Sequence, residues 1–304
     1  MDILSLFACF EAIATSTTVR QLAVIAQAML SMTGRITMLN ISRWAGKGGS
    51  YRTVNRFFAT TLDWSEMMVK FFQTHLFNFE DEYILAGDET IVSKAGTETF
   101  GVDRFFSGLQ TRVIKGLSFF VISLVNVGKG KSYPLIVKQM VRSEEEKAAI
   151  AQKKRERKTG RGKKKSKQPG KPKGRPRGSR NKNRAKLDLS PELVRIDALV
   201  KMVLKLIKVF MPIRYIALDG HVGHNQAVLM VRENGLDVIS KLRRDAALYE
   251  KDAGVYSGKG KPKRYGEQLN YQRLSKKYLK KSEQSGEILT RLFERDIFEQ
   301  KFCG

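Results

Sequence analysis

The sequence predicts a mixed α/β fold: a sheet with flanking helices, preceded by an all-helical segment and interrupted by a basic insert. Three observations predict it. Apolar residues recur at three- and four-residue spacing up to about residue 80, and short β-branched and aromatic runs follow from residue 81. After a long polycationic stretch, strand-like runs then alternate with helix-like ones, the pattern of a mixed sheet.

In the helical segment, 1–80, one apolar series runs through Val19, Leu22, Ala23, Ala26, Met29 and Leu30. Another runs through Trp64, Met67, Met68, Phe71, Phe72 and Leu76. Between them, Ile36–Trp44 and Ser50–Phe58 flank Ala45-Gly46-Lys47-Gly48-Gly49, the order of a helix-turn-helix. Ser50 suits the N-cap of the second helix. Arg43, Lys47, Arg52 and Arg56 around this turn are candidates for DNA contact in the major groove. An ordinary helical hairpin with charged faces gives the same pattern.

The first part of the sheet, 81–141, begins with Tyr83–Gly87, a short apolar run bounded by charge. Leu117–Val127 is the strongest strand, and Tyr133–Val141 reads as the next, so 98–141 resolves into an antiparallel meander. The second part, 187–242, opens with Ser190-Pro191-Glu192, a helix start with proline at the first helical position. The stripe Leu193, Ile196, Val200, Val203, Ile207 and Phe210 faces inwards, with Arg195, Lys201, Lys205 and Lys208 turned away, until Pro212 ends the helix. Ile213–Leu218 is a buried strand, Asn225–Asn234 a helix and Leu236–Leu242 a further strand. The remainder, 243–304, reads as β-rich.

Charge identifies the partner. Of 304 residues, 56 are Lys or Arg against 30 Asp or Glu, a net +26 that favours phosphate polyanions. A membrane span is excluded at the N-terminus, where Ile3–Ala14 is too short and carries Glu11. Cys9 and Cys303 offer neither a disulfide framework nor metal-ligand spacing, so a reducing cytoplasm is expected. Within the insert, 142–186, residues 153–186 hold 18 Lys or Arg and a single acid, Glu156, and are expected to be disordered. Inside it, Lys173–Arg180 resembles an AT-hook: Pro176 keeps the backbone extended, and Arg175, Arg177 and Arg180 are suited to a narrow minor groove. A solvated polycation binding any phosphate backbone accounts for the same residues.

Two acids carry the chemistry. Asp88 follows the run Tyr83–Gly87 and Asp219 follows Tyr215–Leu218, so each is expected at the solvent edge of a buried strand. Adjacent strands lie ~4.8 Å apart, close enough for two such carboxylates to share a divalent cation. Magnesium suits hard oxygen ligands while leaving coordination positions for phosphate. Asp at a strand end is also a common turn residue.

The segments AGDETIVSKAG around Asp88 and YIALDGHVGHNQAVLMVRENGLDVISKLRRDAALY around Asp219 resemble the first two acidic motifs of bacterial insertion-sequence transposases of the DDE class. The resemblance extends to roughly Leu289. It implies an RNase H-like fold, and it maps Asp88 and Asp219 onto the first two members of an Asp-Asp-Glu triad. It further implies Mg2+, with Mn2+ as an alternative, and double-stranded DNA as partner, with a homodimer working on paired element ends at the nucleoid.

No third acid is found: Glu294 has Lys301 at the family's spacing, but Thr290 stands where an arginine is expected. The chain is therefore expected to end before its active site is complete. The function implied is metal-dependent phosphodiester cleavage and strand transfer. The alternative is a catalytically inactive DNA binder or transposition repressor. His221 and His224 beside Asp219 read as turn or DNA-facing residues; Glu89, Asp103 and Asp245 read as solvated acids.

Overall fold

The computed structural model describes residues 2–96, 98–162, 188–242, 246–252, 254, 258, 265–270, 273–286 and 288–299. Helices α1 (Ile3–Phe7), α2 (Ser16–Ser31), α3 (Met38–Trp44), α4 (Tyr51–Ala59) and α5 (Trp64–His75) form the N-terminal part. Four of their starts are fixed by the same device, a short polar side chain accepting the amide three residues on. Thr15 takes Thr18 N at 3.3 Å, Thr37 takes Asn40 N at 3.1 Å, Ser50 takes Thr53 N at 3.3 Å and Asp63 takes Glu66 N at 3.0 Å. The expected cap at Ser50 is among them.

Helices α2, α3 and α4 close on a small core of Ile25, Ala28, Ile41, Val54 and Phe57. Helix α5 has two working faces. Met67 is buried with Phe10 and Val19, and Phe71 packs beside them; Val69 and Phe72 belong to the main core.

The main sheet contains β1 (Tyr83–Ser93), β2 (Asp103–Ser107), β3 (Arg112–Asn126), β4 (Lys131–Gln139), β5 (Tyr215–Leu218) and β6 (Asp237–Ser240). Strand β1 pairs antiparallel with β3 along its full length and parallel with β5, which in turn pairs parallel with β6. The outer edge of β3 is shared: β2 takes Arg112–Gly116 and β4 takes Phe119–Asn126. As an edge strand, β4 tolerates Pro134. One face of the sheet is buried over its central part. Leu85, Phe120, Ile122, Leu124 and Ile216 meet α7 (Pro191–Ile207) and α8 (Asn225–Glu233) there. The predicted stripe of α7 is buried as expected at Leu193, Ile196, Val200, Val203 and Ile207, and Phe210 is partly buried against it.

Three expectations change. Strand β1 does not end at Gly87 but runs on to Ser93, because β3 continues to supply pairing partners for the polar, β-branched run from Asp88 onwards. The expected disorder does not begin at residue 153: Glu144–Gly162 form helix α6. Its start is a capping box in which Glu146 N donates to Ser143 Oγ at 3.2 Å and Ser143 N donates to Glu146 Oε2 at 2.8 Å. Arg195 does not turn away either. Its two terminal nitrogens each donate to a Glu146 carboxylate oxygen at 3.0 Å, and this fork ties α6 to α7. The rest of the insert, including Arg175, Pro176, Arg177 and Arg180, lies outside the described residues.

Past residue 242, β7 (Leu248–Lys251) pairs with β8 (Tyr265–Gln268) and with β11 (Phe298–Glu299), while β9 (Leu279–Ser285) and β10 (Ile288–Phe293) form a hairpin. This agrees with the β-rich expectation. Among the described residues, no helix is long and apolar enough to cross a membrane.

Candidate active site

Backbone register brings the two predicted acids together. Strands β1 and β5 pair as Leu85 with Ile216, Ala86 with Ala217 and Gly87 with Leu218. Asp88 and Asp219 each follow the last of these pairs by one residue, so both stand where the parallel pairing of β1 with β5 ends. Strand β5 stops at Leu218, so Asp88 sits where β1 loses its parallel neighbour while keeping β3. Both acids are exposed.

The two carboxylates are held alike. Glu89 N donates to Asp88 Oδ1 at 2.8 Å, and Gly220 N donates to Asp219 Oδ1 at 2.7 Å. Among the described residues neither acid forms an ion pair, which leaves hard oxygen donors for a divalent cation, the ligand type that magnesium and manganese accept. The residues therefore fit the metal that the sequence implies.

Local packing explains the segments around each acid. A Cβ on Gly87 would lie 2.8 Å from Leu218 Cδ2 and 3.0 Å from Phe120 Cζ, so the Leu218 and Phe120 side chains pack over the bare backbone just ahead of Asp88. The turn after Asp219 is equally tight. Val222 N and Gly223 N donate to Asp219 O at 2.9 and 3.2 Å. Added carbons on Gly220 and Gly223 would meet Lys241 O at 2.9 Å and Ser240 Oγ at 2.3 Å.

Glu89 is exposed, as expected, but its carboxylate is engaged. It alternates to the buried face, where the fully buried Ser118 hydroxyl donates to its Oε1. Asp103 is also engaged: Arg142 donates to its Oδ2 at 3.0 Å and to Arg104 O at 2.9 Å, and lies 4.4 Å over the Phe105 ring. Together with Glu146, Arg195, Glu192 and His221, Arg142 lines a groove of about 410 Å3 beside the Asp219 turn. Sequence reading missed this cluster; the only local signal was Ser143 followed three residues later by Glu146.

The Arg195 guanidinium holds the Glu146 carboxyl below the usual carboxylate range. At the other end of β1, the Lys129 ammonium does the same to Asp81, which also accepts from Asn126 at 2.8 Å.

His221 Nε2 is 4.0 Å from Glu192 Oε1, and His224 occupies the N-cap position of α8. Among the described residues, no three His, Cys, Asp or Glu side chains converge on a common point. Glu294 directly follows β10 and pairs with Lys280 at 3.5 Å. Arg43, Lys47, Arg52 and Arg56 are all exposed on or between α3 and α4, as expected for that turn. Asp245 lies outside the described residues.

A mixed sheet of this order, with Asp88 within β1 just past its parallel pairing and Asp219 directly after β5, fits an RNase H-like fold. The chain matches the family described as DDE superfamily endonuclease over residues 5–293, and it belongs to that superfamily. The family's chemistry is endonuclease- and transposase-type action on DNA, supported by divalent metal ions. No curated protein matches the chain.

Proposed function

We propose that this chain is a transposase that cuts DNA at insertion-sequence ends and joins the freed 3′-hydroxyl to a target, acting at the nucleoid in the cytoplasm and as a homodimer on paired ends. The observation that carries this reading is the parallel register of β1 with β5, whose last pair, Gly87 and Leu218, directly precedes Asp88 and Asp219. These two acids would hold Mg2+, for which Mn2+ could substitute. When bound, the metal favours attack on the phosphodiester and stabilises the leaving oxygen.

The chain's own residues supply the geometry. The amides of Glu89 and Gly220 fix the orientation of the two carboxylates, and Ser118 secures Glu89 from the buried side. Arg43, Lys47, Arg52 and Arg56 grip duplex DNA through α3 and α4. The AT-hook-like Arg175, Pro176, Arg177 and Arg180 add minor-groove or phosphate affinity.

The test is nicking of supercoiled plasmid in magnesium. Asp88→Asn and Asp219→Asn should each lower the rate at least about 100-fold, since even an outer-shell partner of a metal site is worth up to that much. Asp296→Asn, at an exposed position, should leave it unchanged. A second reading is a repressor that occupies DNA without cutting it. It is favoured by Glu294, the sequence's best third acid, directly following the β9–β10 hairpin and pairing with Lys280. Duplex binding by the wild-type chain with no magnesium-dependent nicking decides for that reading.

A further inference from the structure

Helix α4 turns to solvent a residue that the reading above leaves without a task. Val54 and Phe57 are buried against Ile25 and Ile41, so Tyr51, Arg52, Asn55 and Arg56 occupy the outward side. Asn55 is exposed, and its amide nitrogen donates to Met38 Sδ at 3.5 Å, a weak acceptor that a better one displaces. Asparagine within an exposed helix is less favourable than alanine, so helix stability does not account for it.

Two further observations point to what this side meets. No Asp or Glu occurs between Glu11 and Asp63, while Arg20, Arg35, Arg43, Lys47, Arg52 and Arg56 do, so the surface around Asn55 has one sign and suits a polyanion. The turn before α4 is also closely built. Gly46 and Gly48 take φ of +60° and +92°, and a Cβ on Gly49 would lie only 2.0 Å from Ala45 Cβ. This fixes how α4 projects from α3. Arginines on such a helix bind phosphates of any sequence, whereas a carboxamide has one donor and one acceptor in a plane and matches adenine N7 and N6.

We infer that Asn55 reads an A·T base pair in the major groove, with Arg52 and Arg56 holding the flanking phosphates. This rests on α3 and α4 acting as a helix-turn-helix on DNA. The test is selection from a pool of random-sequence duplexes by the full chain, with affinities then measured against salt. The wild type should enrich a motif. Asn55→Ala should lose about tenfold discrimination at one A·T position, the worth of a bidentate contact, with its salt dependence unchanged. Arg56→Ala should weaken binding to all duplexes alike and make the dependence on salt shallower. If Asn55→Ala enriches the same motif at the same strength while Arg52→Ala and Arg56→Ala weaken binding, Asn55 is not a reader and the helix-turn-helix stands. If the arginine variants bind as the wild type does, both fall.

Discussion

Gly87 and Asp88 show how one residue prepares the position of the next. Leu218 and Phe120 fill the space where a side chain at Gly87 would go, in the last pair of β1 and β5 before Asp88 and Asp219. Gly87→Ala should therefore cost about 1–3 kcal/mol in urea unfolding, the usual penalty for overpacking. It should also reduce nicking in a protein that still folds, because Leu218, whose side chain must yield, directly precedes Asp219. Unchanged stability would mean that the two strands are not packed as described. The nearby acids were harder to read. Asp88 and Asp219 were legible because each follows an apolar run. Glu89 was not, because its partner Ser118 is distant in sequence and the contact depends on the antiparallel register of β1 with β3.

At the scale of elements, local signals were read where local forces decide. Ser50 caps α4, and the α7 stripe is buried, because both follow from spacing along one helix. Helix α6 was hidden because its composition opposes order, while its anchor, Arg195, belongs to another helix. The extension of β1 to Ser93 was hidden for a related reason: pairing with β3, not its own polar sequence, keeps it extended.

The α6 anchor gives a pH prediction. Arg195 lowers the folded-state pKa of Glu146, so on acidification the unfolded chain takes up that proton first. The contribution to stability is complete above the ordinary glutamate value of about 4.3 and is lost as pH falls through the lower folded value. Glu146→Gln should destabilise the protein at neutral pH by on the order of 1–2 kcal/mol and flatten this acidic limb in urea titrations. An acidic limb identical to that of the wild type would rule out the Glu146–Arg195 fork as its source.

Across the whole molecule, charge is divided between built surfaces and the insert. Residues 163–187 carry 12 of the 56 Lys and Arg. Replacing them with a short Gly-Ser linker leaves the Glu146–Arg195 anchor intact and should flatten the plot of log affinity against log salt. Each lost phosphate contact accounts for about 0.9 of slope. A slope unchanged within error would mean that the polycation does not touch DNA. The same variant retains every residue of the main core and should keep its thermal midpoint.

Helix α5 joins the two ends of the molecule. Met67 grips the N-terminal helices and Phe72 grips the sheet, so a single rod of twelve residues spans them. Such a rod works as a ruler. On the proposed reading, in which the N-terminal helices hold DNA and the sheet cuts it, the cut should fall at a constant offset from the bound sequence, which mapping the cut ends would show.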